Sequence, residues 1–107
     1  MDEKTEQQSM ELILDAGNGK ALAVEAFRGL LQDKDVEKAK KKLKEAGAEI
    51  GKAHNIQTSL LQQDISDKPV EKSILLIHAQ DHFMTALTMR DMVELLIEMY
   101  EKLNHEK

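Results

Sequence analysis

Apolar residues recur along this chain at helical steps, and the places where the recurrence lapses divide it into three segments. In the first, Met10, Ile13, Leu14, Gly17, Ala21, Val24, Phe27 and Leu31 follow at steps of mostly three and four, which predicts an amphipathic helix packed through that face. Gly17 and Gly19 each cost about 1 kcal/mol there relative to alanine, so they predict a close backbone contact or a bend. In the second segment Val36, Ala39, Leu43, Ala46, Ile50, Ala53, Gln57 and Leu60 keep the strict repeat of a coiled-coil seam, with alanines that admit a neighbouring helix closely. The polar patch Asp33-Lys34-Asp35 separates the two, and Asp35 is placed to cap a helix starting at Val36. At Ser66-Asp67-Lys68-Pro69 the proline turns Lys68 away from helix and can sit in the first turn of the next one. Helices over about 5–32, 35–64 and 70–104 follow, an all-α, up-down bundle of three long antiparallel helices in one domain, 1–107.

The third helix is apolar on nearly every side. One stripe runs Ile74, Ile77, Asp81, Met84, Met92, Leu95, Met99; a second holds Leu76, Phe83 and Leu87; a third holds Leu75, Val93 and Leu96. Two other helices can cover only part of such a surface, so self-association through this helix is expected, with a closed symmetric oligomer as the default.

Composition narrows the function classes. A formal charge of −5 and 3% aromatic residues argue against a nucleic-acid binder, which needs a basic surface and stacking platforms. No apolar run approaches the roughly 20 residues of a membrane span, and MDEKTEQQ has no secretory-signal character. The absence of cysteine fits a reducing cytoplasm. The lysines of KAKKKLKEAG alternate with Glu37, Glu45 and Glu49, which points to a solvated face rather than a docking site for an acidic partner.

Candidate chemistry is concentrated in SILLIHAQDHFMT, residues 73–85. On a helix, His82 and Thr85 each lie within about 40° of His78, and Asp81 sits about 60° to its side. Four roles fit. Ordinary hydrogen-bonded histidines account for one such residue better than for a cluster that includes a carboxylate in an apolar stripe, where an unpaired charge costs several kcal/mol. A metal site is suggested by the i, i+4 spacing of His78 and His82, although the order of an HExxH site is missing. Asp81 suits a different metal role: in a cyclic oligomer its copies converge on the axis, and a hard oxygen-seeking cation such as Mg²⁺ would relieve their repulsion. Nucleophilic catalysis by histidine is the third role, with a protein rather than a nucleotide as phosphoryl donor because no Gly-rich nucleotide loop occurs. A non-catalytic helical oligomer, or a regulator binding a metal through His78, Asp81 and His82, is the fourth.

The segment HAQDHFMTA, 78–86, preceded by SILLI and followed by ELLIEMYEKL, closely resembles the lactose/cellobiose/chitobiose-type IIA components of the bacterial phosphoenolpyruvate-dependent sugar phosphotransferase system. The likeness extends to AHNIQTSLLQ, 53–62, and to GNGKALAVEAF, and covers nearly the whole chain. It implies a cytoplasmic homotrimer of three-helix protomers that takes part in uptake of β-glucosides and disaccharides of the lactose, cellobiose or chitobiose class. By the same resemblance His78 accepts a phosphoryl group from phospho-HPr and passes it to a cysteine of the cognate IIB component, the membrane permease IIC being served indirectly. Gln80 and His82 take supporting roles, and Asp81 ligates a structural divalent cation at the trimer axis. Phe83 stands where a smaller residue is familiar, which should bear on packing alone. His54 is expected to pack between helices and His105 to be solvated.

Overall fold

The computed structural model describes residues 2–105, the side chain of His105 excepted, so the expectation for that imidazole lies outside the described residues. Three helices, α1 (Glu3–Asp33), α2 (Val36–Asp64) and α3 (Ile74–His105), form a rod 59 × 20 × 19 Å with α1 against both partners. Each helix start carries a local cause. Asp2 caps α1 by accepting from the Thr5 N–H at 2.7 Å, and this bond holds its carboxyl below the usual carboxylate range. Lys34, in the left-handed region at φ 60°, ends α1 by donating its N–H to the Leu30 carbonyl at 2.9 Å. Asp35 then caps α2 through the Lys38 N–H at 3.1 Å, as the sequence predicts. Asp33 accepts from the Asp35 N–H and, second, from Lys38 Nζ, and both hold its carboxyl below the ordinary value.

Where the third helix begins differs from expectation. Residues 70–73 are not helical; Ser73 is the cap, its Oγ accepting from the Leu76 N–H at 3.1 Å. Upstream, the Ser66 hydroxyl donates to the Gln63 carbonyl at 2.6 Å and accepts from the Lys68 N–H at 3.2 Å, closing a turn before Pro69. The connection is non-helical through residue 73 and buries the Val70 side chain with Leu12, Leu60 and Leu76. Burying Val70 and capping at Ser73 together place the start four residues later than the proline alone suggests.

The packed face of α2 is the expected one: Ala39, Leu43, Ala46, Ile50, Ala53 and Leu60 are buried. On α1 the expected face is wrong. Thr5, Ser9, Leu12, Ala16, Gly19, Ala23, Ala26 and Leu30 are buried instead, while Met10, Leu14 and Leu31 are exposed. The buried set keeps strict three-four spacing but is built mostly of small residues, and it lies about a third of a turn from the bulky stripe. Small side chains let α1 come close to α2, so apolar bulk does not mark the contact. On α3, Leu76, Ala79, Phe83, Ala86, Val93 and Ile97 are buried, which confirms the packing role of Phe83.

Gly19 is where that approach is tightest. A Cβ there would lie 2.5 Å from Ile50 Cγ1 and 3.2 Å from the Ala46 carbonyl oxygen, whereas one at Gly17 meets nothing within 4 Å. The two glycines therefore share no cause. Overpacking costs about 1–3 kcal/mol, and a 2.5 Å approach to Ile50 Cγ1 puts this site at the upper end; less about 1 kcal/mol gained in helix propensity, Gly19→Ala should lower unfolding stability by about 2 kcal/mol in a urea titration. A variant as stable as the parent would show that α1 and α2 separate freely at this level.

Candidate functional site

The HAQDH segment occupies the second turn of α3, and its own Ala79 together with the following Phe83 fixes it in place. Ala79 and Phe83 are buried in the core, so the helical phase of the residues between and around them is set by packing. His78 and Asp81 are exposed, His82 and Gln80 half-buried, and Thr85 exposed. The imidazoles of His78 and His82 meet edge to face, with ring centroids 4.6 Å apart and planes at 77°. This is the pair that i, i+4 spacing anticipates.

The other members of the segment are not gathered around that pair. Gln80 is about 200° from His78 on the helix, which places it on the opposite flank. Asp81 belongs to the exposed stripe of Ile74, Ile77, Met84, Met92, Leu95 and Met99, and is itself open to solvent in the protomer. Its charge is therefore not buried by this chain alone, and the desolvation cost expected from the sequence arises only if the stripe is covered. Among the described residues no three His, Cys, Asp or Glu side chains form a group able to hold a metal ion. Asp81 points about 60° from His78 and about 100° from His82, so the metal-binding regulator built on these three residues in one protomer does not form.

On the far side of α3, an open groove of about 540 Å³ separates it from α2, lined by Gly47, Gly51, His54, Phe83, Leu87 and Arg90. His54 is exposed on its rim, with its ring centroid 6.1 Å from that of Phe83, so it contributes little to packing. Arg90 takes a position in the core repeat of α3 that the apolar pattern skips, and its guanidinium pairs with Asp91 at 3.1 Å and Glu94 at 3.3 Å. None of this machinery borders the imidazole pair. Three lysines of α2 are tied to acidic neighbours: Lys38 to Asp33 at 3.1 Å, Lys40 to Glu101 at 2.9 Å and Lys42 to Glu25 at 3.6 Å. Its hydrogen bond to Glu101 raises the Lys40 amine above its ordinary value. That face is solvated and internally paired, as the charge pattern predicts.

Residues 7–101 match the family described as the PTS system, Lactose/Cellobiose specific IIA subunit. The lichenan-specific phosphotransferase enzyme IIA component of Bacillus subtilis (strain 168) is 41% identical over 107 residues, covering 100% of this chain and 96% of its own. Among solved structures, the PTS cellobiose-specific enzyme IIA from Bacillus anthracis superposes with a TM-score of 0.90 at 34% identity, covering 100% of this chain and 97% of that one. The IIA(Chitobiose) component of Escherichia coli, solved in complex with HPr, superposes with a TM-score of 0.80 at 32% identity, covering 96% of this chain and 99% of that one.

Proposed function

The chain belongs to the lactose/cellobiose-specific IIA family of the sugar phosphotransferase system, and from that premise we propose that it relays a phosphoryl group through His78. One observation carries the assignment: at the head of HAQDH an exposed imidazole stands on a rigid helical turn beside a second imidazole. A protein donor can reach such a ring without entering a pocket. HPr, the partner of the E. coli relative, is the donor chemistry this site fits.

In the proposed transfer the lone pair of neutral His78 attacks phosphorus in line. As the new N–P bond forms, the donor's N–P bond breaks and its electrons return to the donor imidazole. That ring recovers a proton, and the proton on the other nitrogen of His78 is released. A cysteine thiolate of IIB then attacks the same phosphorus, forming an S–P bond while His78 leaves and is reprotonated. Positioning and charge stabilisation are all that such a transfer requires of the protein. His82 and Thr85 are the polar groups of this protomer that share the His78 face. The exchange takes place in the cytoplasm, where the donor is charged from phosphoenolpyruvate; no helix among the described residues is long and apolar enough to cross a membrane.

Assembly follows from the uncovered stripe of α3, whose large apolar side chains are all more than half exposed in the protomer. A homotrimer closed around this stripe buries them and brings three copies of Asp81 to one axis. Three carboxylates there supply oxygen ligands suited to Mg²⁺ or a similar cation, which would neutralise their repulsion. Asp81→Leu should leave a trimer by sedimentation while abolishing divalent-cation binding in elemental analysis of the purified protein. A variant that falls to monomers would count against the axial position.

The relay is tested by intact mass before and after incubation with phosphoenolpyruvate, enzyme I and HPr. Gain of one acid-labile phosphoryl group per chain is expected; no gain alongside a phosphorylated HPr control would exclude it.

A further inference from the structure

The exposed apolar stripe of α3 has a gap. Met84 and Met92 are both open to solvent, and between them stands Thr88, an exposed hydroxyl seven residues after Asp81. Seven residues bring a helix back to within about 20° of the starting phase and advance it by about 10 Å, so Thr88 lies on one line with Asp81. We propose that three copies of Thr88 meet at the axis of the trimer as a hydroxyl layer that keeps the three α3 helices level, an inference that rests on the trimeric assembly proposed above.

Two observations support it. The surface is hollow at this point: Met84, Thr85, Thr88, Met89 and Met92 line an open depression of about 310 Å³. The hydroxyl is also uncommitted. Ser9 on α1 donates its hydroxyl to the carbonyl of Thr5, four residues back, at 2.8 Å, a common way for a helix to absorb such a group. Among the described residues, Thr88 makes no such bond to the Met84 carbonyl. Water satisfies it in the protomer; covered by two neighbouring chains, it needs a new partner.

Its own copies supply one. Helices packed about 8–10 Å apart around a three-fold place each helix axis about 5–6 Å from the symmetry axis, and a Cα lies about 2.3 Å from its own helix axis. Three inward hydroxyls therefore come within reach of one shared water, which can accept from two of them and donate to the third. The layer closes only when the chains are level. If one α3 slips by a heptad toward its C-terminal end, its apolar stripe stays covered but its Thr88 hydroxyl falls beside Leu95 of its neighbours, without a partner. A polar side chain at one core position of a coiled coil fixes register in this way, at a cost in stability. Level helices also bring three Asp81 carboxylates to one height, as a shared axial cation requires.

Cysteine cross-linking reads the register, because the chain has no cysteine of its own. Chains carrying Met92→Cys and chains carrying Met99→Cys are co-expressed with different tags, verified as mixed trimers by native mass, and oxidised with chelator present so that no axial cation aligns the helices. Level helices cross-link 92 to 92 and 99 to 99, while 92 and 99 differ in height by about 10 Å, beyond disulfide reach. With Thr88 intact, like positions should dominate. Adding Thr88→Val to both chains should raise the 92-to-99 product at least about tenfold, and in the cysteine-free chain the same substitution should raise the assembly constant roughly tenfold, because an apolar side chain of equal size replaces a buried polar one. Abundant 92-to-99 product with Thr88 intact, or a Thr88→Val protein with the parent's cross-link pattern or the parent's assembly constant, overturns the proposal. Failure of the parent chain to form trimers at all would instead strike at the assembly.

Discussion

His78→Ala is expected to accept no phosphoryl group from phospho-HPr, a loss of at least about 10⁴-fold in transfer rate, because the substitution removes the atom to which the new bond forms. The side chain is exposed, so the protomer should keep its stability to within about 0.5 kcal/mol and its helical circular dichroism unchanged. His82→Ala should behave differently. Its ring lies 4.6 Å from that of His78, close enough to orient it or to share a proton with the bound group, and its removal should slow transfer by roughly 100-fold or less without abolishing it. Stopped mixing with phospho-HPr and quenching for intact mass would separate the two variants. Residual phosphorylation of His78→Ala with none in His82→Ala would reverse the roles assigned to the two imidazoles.

Leu95→Glu is expected to leave the protomer folded and abolish its assembly. Leu95 is 60% exposed in the protomer and follows Asp81 by two heptads, about 20 Å further along α3, so the substitution does not touch the imidazole pair. Covering such a leucine yields about 2 kcal/mol per protomer, and a trimer loses this three times, about 6 kcal/mol or on the order of 10⁴ in the assembly constant. The introduced carboxylate adds a further penalty for burial without a partner. Sedimentation equilibrium at micromolar concentration should find trimers for the parent and monomers for the variant, with helical content equal. A variant that remains trimeric would move the interface away from this stripe.

How much of this was legible beforehand differs from helix to helix, for physical reasons. The seam of α2 alternates alanine with leucine or isoleucine, so counting apolar residues and counting packed residues give one result. On α1 they diverge. Ala16, Gly19, Ala23 and Ala26 are the packed positions, and they are too small to stand out beside Met10, Leu14 and Leu31, which this protomer leaves open. A helix apolar on two faces carries no internal mark of which face its own chain covers; spacing of small residues at three and four was the available signal. The start of α3 could have been read from Ser73 standing three residues before Leu76, but Pro69 drew the boundary upstream. Arg90 was passed over because a charged residue in a packed repeat breaks the apolar count, even though its salt bridges to Asp91 and Glu94 follow from sequence neighbours on the same helix.

The candidate site was legible in part. Spacing alone places His78 and His82 together, and the 4.6 Å contact bears this out. Which imidazole takes the phosphoryl group came from the likeness of HAQDH to a family, since two imidazoles one turn apart are chemically equivalent until their partners are known. Adjacency in sequence does not fix geometry for Gln80: membership of one five-residue motif hides the half-turn that separates it from His78 within one chain. Asp81 could be placed in the apolar stripe, and that stripe is exposed in this chain.

The central claim, that His78 is the phosphorylated residue, is tested most directly by locating the added mass in the intact phosphoprotein. Electron-transfer fragmentation leaves an acid-labile phosphoramidate on its side chain, and the chain has four histidines, His54, His78, His82 and His105, far enough apart for separate fragments to report on each. The expected result is a mass step between Ile77 and Ala79. A step at His82, or at His54 on the other side of α3, would contradict the account and move the relay to a different face of the bundle.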